Sequence, residues 1–401
     1  MDRYEAARRA ADDVLAESRA QHFALARANA RRVLDAFRSA RVAEYDFAPS
    51  VGYGYGDRGR ETLNAVFAAA FGCEAALVRP QIASGTHAIA LALWGVLRPG
   101  GELLVATGTP YDTLQSVLGL RDTPRSLREW GIETRVIDMA EGLDPLRLAS
   151  ALRPGTQAVL FQRSRGYAAR DSLRPEALTP ALHALRARGV VSVVDNCYGE
   201  FVADREPEAD LLVGSLTKNP GGGIAPSGGY VAGRRELVEA VADRLTAPGL
   251  GADVGSFPAG KRSLFQGLFL APHAVAEALC AADYAAAFAH SLGLGVDPMP
   301  LAARGDIVQV IRFGGREPLL RFAQALQAHS PVESDARVEE AQLPGYPDPV
   351  VMAGGTFFPG ASLELGMDAP LRPPYDGYLQ GGIASPYAVE ILQRAFVTAE
   401  L

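Results

Sequence analysis

Gly214-Ser215-Leu216-Thr217-Lys218-Asn219-Pro220-Gly221-Gly222-Gly223 places one lysine behind two hydroxyl side chains. The lysine also follows an apolar segment, Leu211-Leu212-Val213, and precedes a run of glycines. The apolar segment reads as a strand that would aim the lysine. Ser215 and Thr217 can hold a phosphate, and the glycines let a bulky ring approach. That is the setting required of an amine that captures an aldehyde. Taken alone, the run also reads as a solvated loop lysine ahead of a Gly-rich turn, so its neighbours have to decide.

The next segment outward is Val193-Val194-Asp195-Asn196-Cys197-Tyr198-Gly199-Glu200. An acid directly after a β-branched run sits at the carboxyl end of a strand, where ligands bind in open α/β sheets. Asp195 there can bond a protonated pyridine nitrogen, or it can be a plain loop acid or helix N-cap. Further upstream, Ala83-Ser84-Gly85-Thr86-His87-Ala88-Ile89 is a small polar turn opening an apolar helix. Free N–H groups at a helix start attract anions, and Gly85 lets a phosphate come close. An ordinary cap by Ser84 or Thr86 is the alternative. The order of these segments favours one shared site: an anion turn, an acid after one strand, then a lysine after the next.

Two further loops carry candidates. Gly108-Thr109-Pro110-Tyr111-Asp112-Thr113 follows an apolar strand, so Tyr111 could stack on a flat ring and move a proton. It could also be a half-buried loop tyrosine. Gly52-Tyr53-Gly54-Tyr55-Gly56-Asp57-Arg58-Gly59-Arg60 is too glycine-dense for regular structure. Its tyrosines and arginines could bind phosphate, could pack against a neighbour, or could cross to another subunit.

The wider pattern frames these segments. Residues 2 to about 40 read as an amphipathic helix, and Glu61–Phe71 as another. From about residue 75, short apolar runs recur at Leu103–Ala106, Thr134–Ile137, Ala158–Phe161, Val190–Val194, Leu211–Val213 and Tyr230–Ala232. Helical stretches such as His87–Leu97 and Pro175–Arg188 separate several of them. Apolar strands alternating with helices predict βαβ units and a largely parallel sheet covered on both faces. After about residue 290 the texture becomes that of a smaller α+β unit, with strand runs in Asp306–Phe313 and Pro349–Ala353 and a helix over Glu317–Ala328.

Composition excludes several classes. A chain of 401 residues exceeds one ordinary core, so about two domains are expected. Net charge is −7 with acids and bases mixed along the chain, which argues against nucleic acid as the main partner. Cys73, Cys197 and Cys280 are odd in number and far apart, so neither a disulfide framework nor a Cys-rich metal site is expected. The first 41 residues lack an apolar run of signal-peptide kind, and no stretch is expected to approach the ~20 apolar residues that span a bilayer. The expectation is a cytoplasmic protein without a membrane partner.

Together the segments resemble the pyridoxal-phosphate (PLP) enzymes of the aspartate aminotransferase, or type I, fold. More closely they are similar to the methionine γ-lyase/cystathionine β-lyase-like family also labelled aluminium-resistance proteins. The resemblance covers nearly the whole chain. Besides the motifs above it includes Val78-Arg79-Pro80-Gln81-Ile82, Gln162-Arg163-Ser164-Arg165-Gly166-Tyr167 and Gln266-Gly267-Leu268-Phe269-Leu270-Ala271-Pro272-His273. Towards the end it includes Gly354-Gly355-Thr356-Phe357 and Gln380-Gly381-Gly382.

The resemblance implies a mainly parallel seven-stranded sheet between helices and a smaller C-terminal α+β domain. The expected divisions are 1–60 (helix and inter-subunit arm), 61–285 (coenzyme domain) and 286–401. It implies Lys218 as the Schiff-base lysine, Asp195 as the pyridinium partner and Tyr111 as the stacking, proton-transferring residue. Ser84, Gly85, Thr86, Ser215 and Thr217 would hold the phosphate, while Gln162 and Asn196 would tune the ring. His87 is an alternative stacking residue. Tyr55 and Arg60 would reach the phosphate of an adjacent subunit, in a dimer or a tetramer of dimers. Tyr53 and Arg372 would meet the substrate, Arg372 through its α-carboxylate. No metal is implied. The implied activity is β- or γ-elimination on a small sulfur-containing amino acid. The alternatives are an aminotransferase or aldolase-type reaction, or a PLP-binding stress protein with little catalysis. Methionine-specific γ-lyases carry a cysteine two positions after the stacking tyrosine; this chain has Thr113.

Overall fold

A computed structural model of the chain describes residues 3–139, 143–343 and 346–401. The N-terminal amphipathic pattern forms α1 (Arg3–Ser39). α2 (Arg58–Phe71) begins earlier than its apolar pattern suggests, because the Asp57 carboxylate accepts the Arg60 N–H and caps the helix. Arg58, Gly59 and Arg60 are therefore helical and not loop.

The βαβ portion then runs in order. It comprises β1 (Ala75–Arg79), α3 (Gly85–Val96), β2 (Glu102–Val105), α4 (Asp112–Leu118), β3 (Glu133–Val136), α5 (Pro145–Ala151) and β4 (Thr156–Gln162). α6 (Pro175–Arg186), β5 (Val191–Asp195), β6 (Leu211–Ser215), β7 (Gly229–Gly233) and α7 (Arg235–Leu245) complete it. Among the described residues seven strands make the first sheet, ordered β1-β7-β6-β5-β4-β2-β3. The pairs from β3 to β6 are parallel, whereas β7 runs antiparallel to both β6 and β1. β1 is the strand that the apolar-run reading passed over; its two alanines and terminal arginine dilute the signal.

Alternate residues of these strands feed two different cores. Leu104, Val159, Phe161, Val194 and Leu212 pack with α2, α6 and the first part of α8 (Arg262–Ser291). Leu103, Val105, Leu160, Val193 and Val213 pack under α3, α4 and α7. A sheet buried on both faces explains why its strands read as continuous apolar runs.

The C-terminal portion comprises β8 (Gly295–Asp297), β9 (Gln309–Arg312), α9 (Arg316–His329), β10 (Glu340–Ala341), β11 (Val350–Ala353), β12 (Gly366–Pro370), β13 (Asp376–Gln380) and α10 (Ser385–Thr398). Its strands form a second sheet, β10-β11-β12-β13-β9-β8, with every pair antiparallel among the described residues. Both α1 and α8 bridge the two portions. Val33 and Ala36 enter the first core and Ala7, Ala11 and Leu15 the second. α8 likewise passes from one core to the other at Leu279 and Cys280, and continues through the expected division at 285/286.

Asp283 of α8 ties the helices together. Its carboxylate accepts Ser18 Oγ–H and a His22 Nε2 contact, each at 2.8 Å, and the Arg304 guanidinium at 2.8 and 3.0 Å. Burial opposes the charge on Asp283, but these partners hold its carboxyl well below the usual range. By length and composition α8 could cross a membrane, which the sequence reading did not anticipate. It is the one such helix among the described residues, and 72% of its most apolar window is buried inside this fold.

Candidate active site

The parallel strands end together, and their carboxyl ends carry the site. Gln162 closes β4 beside Asp195, which closes β5, and Asp195 is in register with Val213, just short of Ser215 at the end of β6. The chain then turns, and Lys218 follows. All four side chains line one cavity of about 520 Å³ at this edge. That volume lies within the range of small-molecule sites, about 300–1,000 Å³.

One end of the cavity is built for an anion. The Ser84 Oγ caps α3 by accepting the His87 N–H at 3.1 Å, so the first turn of the helix opens into the cavity at Gly85 and Thr86. A Cβ on Gly85 would stand 3.0 Å from Cys197 Sγ, so a larger residue would crowd that wall. Across from it, Ser215 Oγ and Thr217 Oγ1 lie 2.8 Å apart. The Tyr111 hydroxyl reaches the same end, 2.9 Å from Thr86 Oγ1.

Charge is concentrated at the floor. Burial pushes the Asp195 carboxyl up. The Cys197 thiol and N–H (the latter at 3.2 Å), the Lys218 charge and the Gln162 side chain pull it back. Burial disfavours the Lys218 ammonium, but Tyr198, Cys197 and Asp368 around it raise its pKa above the ordinary lysine value. Its Nζ rests 3.7 Å from the centroid of the Tyr198 ring. Tyr198 holds a φ of 69°, left-handed for a non-glycine residue, and that backbone turn brings its ring under the lysine. Burial, with Asp195 adding to it, pushes the Tyr111 hydroxyl well above its usual range, so it stays protonated.

The second sheet supplies the facing wall. Asp368, Tyr378 and Gln380 line the cavity, while Met367, Ala369 and Leu379 between them enter the second core. Tyr167 and Tyr346 complete this wall. Apart from Tyr167 and Gln380, which the quoted motifs contain, the sequence reading missed it. Its one signal was the period-two alternation in Gly366–Pro370 and Asp376–Gln380.

A family model described as methionine gamma-lyase matches residues 4–398. The chain belongs to the methionine gamma-lyase family. It is 44% identical over 364 residues to the uncharacterized protein YnbB of Bacillus subtilis (strain 168), a match covering 88% of this chain and 86% of that protein. A proposed cystathionine beta-lyase involved in aluminum resistance from Listeria monocytogenes superposes with a TM-score of 0.95. It has 43% identity and coverage of 98% of this chain and 99% of that one. At the level of fold, the chain resembles a proposed O-acetylhomoserine (thiol)-lyase from Campylobacter jejuni that holds a pyridoxyl-lysine. That TM-score is 0.59 at 16% identity, with 86% of this chain and 88% of that one covered.

Not every residue that the methionine gamma-lyase resemblance suggested reaches the cavity. Arg60 is 2% exposed, and its guanidinium donates to the carbonyls of Gly54, Asp253 and Gly255 within its own protomer. It braces the glycine-rich arm from within the protomer. Asn196 points away from the cavity into a buried network, accepting from Arg163 at 2.8 Å and donating to Glu206 at 3.0 Å. The His87 ring accepts the Ala83 N–H through Nδ1 at 3.1 Å and lies off the cavity wall, whereas Tyr111, the other stacking candidate, lines it. Arg372 is half exposed and pairs with Asp348 at 3.0 Å outside the cavity. Tyr53 and Tyr55 are 75% and 64% exposed on the arm, away from their own protomer's cavity.

Proposed function

We propose that this protein is a PLP-dependent carbon–sulfur lyase acting on a sulfur-containing amino acid. One observation carries the reading: Lys218 and Asp195, from the ends of adjacent strands, share a cavity whose far end is an anion cradle. The residues present fit the coenzyme. Ser84, Thr86, Ser215, Thr217 and the first turn of α3 would hold its phosphate, Asp195 its ring nitrogen, and Tyr111 would cover the ring. When bound, the coenzyme supplies an aldehyde for the lysine and an electron sink for the α-carbon.

The chain's own groups then divide the proton work. Lys218 Nζ lies at the cavity floor, placed to take the α-proton. Tyr111 Oη, kept protonated by burial, can deliver a proton to a departing sulfur. Tyr167, Tyr346 and the second sheet restrict water on the opposite side. Among the described residues no arginine lines this cavity. The reading therefore assigns the substrate α-carboxylate to the exposed Gly52–Arg58 arm of a second copy. That makes the proposed enzyme an oligomer with shared sites, and we extend the proposal to a cytoplasmic location.

Lys218→Ala tests the reading. The purified wild-type protein should be yellow and should release ammonia and a keto acid from cysteine, cystathionine, methionine or homocysteine. The variant should lose both the visible band and turnover. Lyase activity retained in Lys218→Ala would sink the assignment.

A further inference from the structure

The second-sheet wall has a charge that elimination does not use. Asp368 and Tyr378 are direct partners across β12 and β13, so their side chains share the cavity face. The Tyr167 and Tyr378 rings lie 4.9 Å apart and tilted, with Tyr346 a further 6.1 Å from Tyr167. The Tyr378 hydroxyl donates to the Tyr167 carbonyl at 3.1 Å, fixing the group. A carboxylate set among electron-rich ring faces is the chemistry that selects a cation. The one cation on this cavity's wall among the described residues is Lys218; burial pushes the Asp368 carboxyl up, while the Lys218 charge and a hydrogen bond with the Tyr167 side chain pull it back towards the charged form. Lys218 would be committed to the coenzyme when it is bound, whereas a second cation on the far side of the cavity would meet the half-buried Asp368 carboxylate in a charge-assisted contact.

We propose that Asp368, with Tyr167, Tyr346 and Tyr378, forms a subsite for an ammonium group carried by the substrate on the far side of its sulfur. This rests on the lyase reading above and narrows its substrate class to thioether amino acids with a cationic distal arm. An acidic distal arm meets like charge at Asp368, and an apolar one offers the carboxylate no counter-charge.

S-(2-aminoethyl)-L-cysteine and S-propyl-L-cysteine differ at the distal group in charge and little in size. For the wild-type holoenzyme kcat/KM should favour the aminoethyl compound by about tenfold or more, as expected for a charge-assisted contact. Asp368→Asn should bring that ratio close to one, and Asp368→Glu, which keeps the charge, should retain a preference. Affinity for both compounds is also read by titration calorimetry on Lys218→Ala, which cannot turn them over, with and without Asp368→Asn. A wild-type ratio near one, or a ratio and affinity difference unchanged by Asp368→Asn, overturns the subsite. If neither compound nor any other thioether is turned over, the lyase reading fails, while the calorimetric comparison still decides the subsite.

Discussion

Asp195 and Ser215 stand at the last positions of β5 and β6, whereas Asp368 and Tyr378 project from within β12 and β13. The first sheet is buried on both faces and can offer chemistry only where its strands stop. The second sheet covers a core with one face, through Met367, Ala369 and Leu379, and is free to line a cavity with the other. A parallel sheet thus concentrates function at an edge, and an antiparallel one can spread it over a surface.

The sharpest break in this comparison comes at a strand end. Asp195→Ala should lower kcat on the order of a thousandfold, in line with loss of a group that stabilises developing charge. A steady-state kcat within tenfold of wild type would mean that the edge of the first sheet is not where the chemistry lies. Next in size is the core face of the second sheet. Leu379→Ala empties a fully buried position and should cost about 2–5 kcal/mol in denaturant unfolding. Equal losses from Leu379→Ala and Tyr378→Phe would show that the two faces are not specialised.

A third effect concerns a group behind the strand ends. Burial pushes the Glu200 carboxyl from 4.5 up to about 8, against a hydrogen bond donated by Tyr230 Oη at 2.8 Å. The folded protein keeps a proton there that the unfolded chain has already lost. Glu200 therefore contributes its full stability below the ordinary carboxylate value, and that contribution declines as pH rises to about 8. Glu200→Gln should flatten the fall in melting temperature over this window; an unchanged slope would remove Glu200 as its source.

The same contrast explains what the sequence disclosed. Ser84, Asp195, Lys218 and their order were legible because topology alone delivers strand-end loops to one place. Arg60, Arg372, His87 and Asn196 were not, because a side chain's direction depends on partners fixed only by the fold. The carbonyls that hold Arg60 belong to residues 54, 253 and 255, and the partner of Arg372 is Asp348. Asp195 and Asn196 are adjacent, yet one faces the cavity and the other a buried arginine. Asp368 escaped notice because its face is defined by register with β13, which no local motif encodes. β1 escaped because alanine and arginine mask a strand that is otherwise buried.

α8 and α1 each contribute to both hydrophobic cores, and α8 does so without interruption over 30 residues, about 45 Å of helix. Independent domains usually meet at an exposed linker, and here a single rod takes the linker's place. Heat should therefore melt both halves in one transition. A protease seeking a hinge between them would first have to unwind the beam that holds them together.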